Sequence, residues 1–201
     1  MAPDAALGFG YKIDWLAIRD RDADAVAAAL NLSRPTPATW RDAVTAAYDD
    51  QGQWLLTPPL DRWTLAASRD VPVPEDDRFT PWLAALSQLL GEVQYFGTHR
   101  VVEYHGWGRA RGGVVERAFA YLGERGEVLF DVGERTLEEQ ALGVVTVSDD
   151  EDEPWGDDDE TSPWPDEETV LTLAGQWSID PRTLESAVVP GHPWIASARS
   201  G

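Results

Sequence analysis

The chain has 201 residues, 43% of them hydrophobic and ten of them Trp, so it holds enough apolar material for a sizeable core and is not a wholly disordered protein. Thirty-six acids against sixteen bases give a net charge of −20, which excludes the basic footprint of a nucleic-acid binder and argues against docking on anionic lipid. The absence of cysteine excludes disulfides, zinc–thiolate sites, iron–sulfur clusters and thiol catalysis.

In chain order, Phe9, Tyr11, Ile13, Trp15 and Ala17 alternate with Gly10, Lys12, Asp14, Leu16 and Ile18, which predicts a strand whose second face turns apolar toward its end. Asp22 is a good N-cap for an Ala-rich helix over 23–32. Residues 33–38 hold two prolines and read as a loop, and 39–48 as a short helix. Strands at 54–57 and 63–67 flank Pro58-Pro59 in a hairpin. Phe79, Trp82, Leu83, Leu86, Leu89 and Leu90 keep helical spacing until Gly91 stops the helix. Strands follow at 92–97, 99–108 and 114–122, with a shorter one at 128–132 and a capped helix from Thr136. Asp166-Glu167-Glu168 and Asp180-Pro181 open a C-terminal helical pair, followed by an irregular tail in which Trp194 is a candidate pin to the body.

This order predicts an α+β fold: a mainly antiparallel sheet with helices packed on one face, with a ferredoxin-like split βαβ in the N-terminal part. Three parts are expected: an α+β body over 1–148, an acidic loop or linker over 149–168, and a helical hairpin with a tail over 169–201. The middle part carries twelve acids, no base and three prolines, and without it the other 181 residues carry −8. Met1–Phe9 has no positively charged start and no long apolar core, and no run reaches membrane-spanning length, so a cytoplasmic location is expected.

Two stretches are candidates for function. The first is the acidic run, where Asp149, Asp150, Asp152, Asp157, Asp158, Asp159 and Glu160 surround Trp155 and precede Trp164. Aromatic anchors ringed by charge have the make-up of an interface hot spot, and a strongly acidic patch steers a basic protein partner. The plainer reading of the same run is a solvated loop that keeps the chain soluble.

The second is Tyr95–Arg109, which packs two of the three His, two Arg, one Glu and four aromatics into fifteen residues. Read as one strand from His99 to Trp107, one face presents His99, Glu103 and His105, and Arg100, Arg109 and Arg117 are candidates for binding an anionic ligand. The plainer reading is a mixed sheet face with cross-strand pairs such as Glu103 to Arg117. A metal held by His99, Glu103 and His105 is disfavoured. Residues two apart on a strand lie roughly 6.6 Å apart, so three such ligands do not converge on one ion. No Gly-x-Ser-x-Gly, phosphate-binding loop or dinucleotide fingerprint is present, and no cofactor is expected.

Gly10-Tyr11-Lys12-x-x-Trp15-Leu16-Ala17-x-Arg19, Thr57-Pro58-Pro59 with Trp63, and Tyr95-Phe96-x-Thr98-His99-Arg100 resemble a family of uncharacterised bacterial proteins, over about residues 8–142. In size, acidity and lack of a catalytic motif the chain is also similar, in class only, to immunity proteins of bacterial toxin systems. That likeness implies a protein-binding inhibitor of a cognate toxin. The alternative is an enzyme or small-ligand domain with its site on the 99–109 strand.

Overall fold

The computed structural model describes residues 5–49, 51–74, 77–144 and 164–199. In chain order the elements are β1 (Ile13–Arg19), α1 (Ala23–Ala29), β2 (Thr36–Pro37), α2 (Trp40–Ala47), β3 (Gln53–Leu56), β4 (Trp63–Ser68), α3 (Phe79–Leu90), β5 (Glu92–His99), β6 (Tyr104–Arg111), β7 (Val114–Leu122), a 3-10 turn (Gly123–Arg125), β8 (Glu127–Val132), α4 (Leu137–Ala141), α5 (Glu167–Trp177), a 3-10 helix (Pro181–Ser186) and β9 (Trp194–Ser197). The strands form one nine-stranded sheet in the order β2-β9-β3-β4-β1-β5-β6-β7-β8. Every pairing among them is antiparallel, as the α+β reading expects.

Local chemistry sets the helix ends. Asp22 accepts from Ala25 N, Thr39 accepts from Asp42 N, and Thr136/Glu139 and Asp166/Thr169 close capping boxes. Gly91 ends α3 at φ 96°, a region that favours glycine.

Helices cover both faces of the sheet, which corrects the one-face expectation. Ile13, Trp15 and Ala17 of β1 pack in one core with Trp40 and Ala43 of α2 and Leu171 and Trp177 of α5. Leu16 and Ile18 pack in a second core with Val26 of α1 and Phe79, Leu83 and Leu86 of α3. The continuous apolar run Trp15–Ile18 is what a strand buried on both sides requires. Each large side chain fully buried there contributes about 1.5–3 kcal/mol.

The split βαβ of the N-terminal part is present: β4 lies between β1 and β3, antiparallel to both, β5 flanks β1 on its other side, and α1 and α3 pack in the same core. The expected tail instead supplies β9, which runs between β2 and β3. Pro37 lies on β2, the edge strand, where its missing N–H breaks no interior ladder. The second member of the expected helical pair is the six-residue 3-10 helix. Among the described residues, no helix is long and apolar enough to cross a membrane.

Candidate functional site

Because β1 is antiparallel to β4 and β5, its beginning meets their ends. Asp14 of β1 stands opposite Ser68 of β4 and Gly97 of β5, and Gly97 in turn faces Gly106 of β6. Asp14 is a carboxylate in the middle of the sheet and only 2% exposed. The glycines make room for it. A Cβ on Gly97 would lie 2.1 Å from Asp14 Oδ1, and one on Gly106 would lie 2.6 Å from the Tyr104 hydroxyl.

Asp14 is satisfied by side chains. The Tyr95 hydroxyl donates to Oδ1 at 2.7 Å, and His99 Nε2 donates to Oδ2 at 2.7 Å. The Tyr104 hydroxyl lies 3.1 Å from that of Tyr95 and donates to it, since the single Tyr95 proton is committed to Asp14. The network therefore runs Tyr104–Tyr95–Asp14–His99, from a buried end to a partly open one, with the His99 side chain 32% exposed. His99 Nδ1 has no hydrogen-bond partner among the described residues.

Two effects compete at His99. Burial disfavours its imidazolium, but the hydrogen bond and charge of Asp14 outweigh burial and raise its pKa. Burial and the same carboxylate push the Tyr95 phenol well above its usual range, so it stays a donor.

His99 lines a pocket of about 470 Å³ together with Lys12, Arg69, Val101 and Val102. Lys12 precedes β1 and Arg69 follows β4, so the antiparallel order brings both to the same end of the sheet as His99. Lys12 has φ 57° and Glu103, in the β5–β6 turn, φ 53°. Non-glycine residues in that region cost about 1–3 kcal/mol and persist only where the surroundings hold them. Tyr48 does so at Lys12, its hydroxyl donating to Tyr11 O at 2.8 Å.

The sequence candidates are dispersed. Residues 99–107 are not one strand: a turn over 100–103 separates β5 from β6. His99 pairs with Tyr104 and His105 with Thr98, so the two His face opposite sides of the sheet. His105 is buried, with Nδ1 3.0 Å from Thr98 Oγ1, and burial pulls its pKa down to about 4. Arg100 is exposed in the turn, and Glu103 accepts from Gly123 N through its carbonyl.

Arg109 donates to Glu116 at 3.0 Å and lies over the Trp177 ring. Arg117, 1% exposed, is not a ligand-facing cation. It donates to Glu139 at 2.8 Å, to Asp131, and to the carbonyls of Val132 and Gly133. It faces Arg109 across the β6–β7 ladder, so the Glu103–Arg117 pair is replaced by these contacts. Among the described residues no cluster of three His, Cys, Asp or Glu is placed to hold a metal ion.

Asp149, Asp150, Asp152, Trp155, Asp157, Asp158, Asp159 and Glu160 lie outside the described residues. Their flanks do not. Val144 is buried and its carbonyl accepts from Arg135 at 2.8 Å. Trp164 lies flat on Tyr121, ring centroids 4.7 Å apart with planes 2° apart, and packs against the core that holds α5.

No family model, curated protein or solved structure matches this chain. What the site does is therefore argued from its own residues. Asp14, Tyr95, Lys12 and Arg69 are the functional candidates that the sequence reading missed. The available signal was Asp14, a charged residue on the strand face that otherwise carries Leu16 and Ile18.

Proposed function

We propose that the protein is an acidic protein-binding module of the immunity type, which binds and neutralises a basic bacterial toxin domain. The observation that carries this reading is the charge: −20 in all, with twelve carboxylates and no base over 149–168. The C-terminal part of that stretch is pinned to the body through the Trp164–Tyr121 stack. Much of the positive charge is already neutralised, since Arg19, Arg62, Arg109, Arg111, Arg117 and Arg182 are all engaged by carboxylates. The field that reaches solvent is thus negative, and such a field speeds encounter with a basic partner and selects for it.

The test is affinity capture from the native host at low and high salt, with the captured protein then assayed alone and with added purified chain. The expected result is one stoichiometric basic partner, released as salt rises, whose activity is lost on complex formation. Capture of no partner at either salt, or a partner whose activity is unaffected, overturns the reading.

A further inference from the structure

We propose that β8, the open edge of the sheet, takes up an extended segment of the basic partner as a further antiparallel strand, apolar along its middle and carrying Lys or Arg at the end that meets the start of β8. The inference rests on the reading above for the partner's basic character, and a model peptide separates the two.

The argument begins with the two edges of the sheet. β2 is two residues long, and one of them is Pro37, which has no N–H to offer a further strand. β8 runs over Glu127–Val132 with neither proline nor lysine, and among the described residues it pairs on one side only, with β7. Alternate N–H and C=O groups along its outer side therefore have no ladder partner. Arg117 takes the carbonyls of Val132 and Gly133, so the stretch left for pairing is Glu127–Asp131, about the length of an ordinary strand. Leu129 is the extra residue of a bulge opposite Ala120 and Tyr121, which bends the edge but removes no donor from it.

Side chains on both faces leave cover to be gained. Phe130 is half-buried against the core that holds α3, its ring edge-on to Phe79 with centroids 6.4 Å apart. Val128 is half-buried against the opposite core. A strand with apolar side chains laid alongside removes what remains of both from water.

Charge selects the occupant. The exposed Glu103 reaches Gly123, where a Cβ would lie 2.5 Å from its Oε2, and so joins the exposed Glu124 and Glu127 where β8 begins. Against these three carboxylates stands Arg125, which leaves two negative charges, or one when Arg100 in the same turn as Glu103 is counted. At the other end Asp131 is paired with Arg117, and Arg135 follows Glu134, so the excess lies at the start of the strand. Charged side chains guard an edge against strands of like charge. Here they turn away a second copy of a chain at −20 and admit a basic segment.

The experiment is NMR titration of the full chain, with amide hydrogen exchange, using a capped peptide of alternating valine and threonine that ends in two lysines. The controls end in two glutamates, or carry the lysines with alternate backbone amides N-methylated, in either phase. The lysine peptide is expected to bind saturably, about tenfold more tightly than the glutamate one, and to slow exchange over residues 127–131. One phase of methylation is expected to abolish binding, because it removes the donors that face β8. Glu124→Gln with Glu127→Gln is expected to bring the lysine peptide close to the affinity of the glutamate one.

Absence of saturable binding at millimolar lysine peptide overturns the proposal. Equal binding of the glutamate peptide does so too, as does binding that leaves exchange over 127–131 unchanged or survives both phases of methylation. Exchange already slow over 127–131 in the free chain also overturns it, since a second copy or the chain itself then covers the edge. Sedimentation tells those two apart. Slowed exchange with the lysine peptide upholds the inference even where no basic partner is captured. A captured partner that leaves β8 exchange unchanged in the complex overturns the inference while the reading of a basic partner stands.

Discussion

His99 and His105 stand one register step apart on neighbouring strands and face opposite sides of the sheet, each pairing across the hairpin with the residue next to the other. Their surroundings drive them in opposite directions. His105 is buried and carries no carboxylate hydrogen bond, so burial pulls its pKa down to about 4. At His99 burial also opposes the charge, but the hydrogen bond and charge of Asp14 prevail and the pKa rises. One hairpin thus holds a neutral imidazole in the core and a readily protonated one at a pocket.

This divergence is visible to NMR titration of the ring protons. His99 is expected to titrate above the ordinary value of about 6.5, and His105 near 4. Linkage fixes the sign for stability. The His99 contribution is complete below pH 6.5 and is lost as pH rises through its raised folded pKa. The His105 contribution is complete above pH 6.5 and is lost as pH falls from there toward 4, by up to roughly 3 kcal/mol. A single shared midpoint for the two rings would contradict this account.

Asp14→Asn keeps the shape of the carboxylate and removes its charge. The His99 midpoint is expected to fall below 6.5, because burial then acts without its counterweight. His105 is expected to keep its low value, since its shift comes chiefly from its own burial. A variant whose fold is intact by circular dichroism and whose His99 midpoint is unmoved would remove Asp14 from the role of positioning residue.

Gly97→Ala tests whether the glycine exists to admit the carboxylate. The added Cβ would lie 2.1 Å from Asp14 Oδ1 and 2.4 Å from the Tyr95 hydroxyl, so the network must shift. A loss of about 1–3 kcal/mol is expected by urea denaturation. Asp14→Ala alone leaves Tyr95 and His99 without their acceptor. Combined with Gly97→Ala it removes one of the clashes, so the double variant should be more stable than the sum of the singles predicts. Strict additivity would show that the two residues do not share the space.

What was legible in the sequence was local. Asp22 and Thr136 cap the helices they precede, as read, because capping joins residues three apart, whereas Thr39 and Asp166, read as the first residues of their helices, are caps too. The split βαβ pattern of β1, β3, β4 and β5 was legible as well, but pairings outside it were not. Thr36 meets Ile195 across 159 residues, and nothing in either segment names the other. The β5–β6 turn escaped because it reads Arg100-Val101-Val102-Glu103, with β-branched residues where glycine or asparagine is usual, and Glu103 takes the left-handed conformation itself. His99 was legible as a candidate through its composition-rich stretch. Asp14, 85 residues earlier, becomes its partner only through the β1–β5 register.

Glu139 of α4 is buried against the sheet at 0% exposure, and it is there to be paired. Its Oε1 accepts from Trp107 Nε1 and from Arg117 Nε, both at 2.8 Å, and its Oε2 caps Thr136 N. Glu139→Ala takes from the buried Arg117 guanidinium one of its two carboxylates, Asp131 remaining, and leaves the Trp107 indole without its acceptor. A loss of about 1–3 kcal/mol is expected by chemical denaturation. Replacing both charges, Arg117→Met with Glu139→Leu, should cost less than Glu139→Ala alone, because no buried guanidinium then lacks a carboxylate and Asp131, which loses Arg117, is partly open to water. If the double variant were the less stable, the ion pair itself would be a net source of stability.

The acidic stretch is tested through rates. Steering acts on encounter, so removing exposed charge slows association and leaves dissociation nearly unchanged. Replacing Asp157, Asp158 and Asp159 together with Ser is expected to lower the association rate with the captured basic partner by roughly threefold to tenfold at low ionic strength. The difference should shrink as salt rises, since screening at about 0.15 M already confines each charge to a range of about 8 Å. Trp164→Ala removes the flat contact with Tyr121 and is expected to raise the dissociation rate if that ring positions the stretch for contact. Association rates that match wild type at every salt concentration would place the contact surface elsewhere on the molecule.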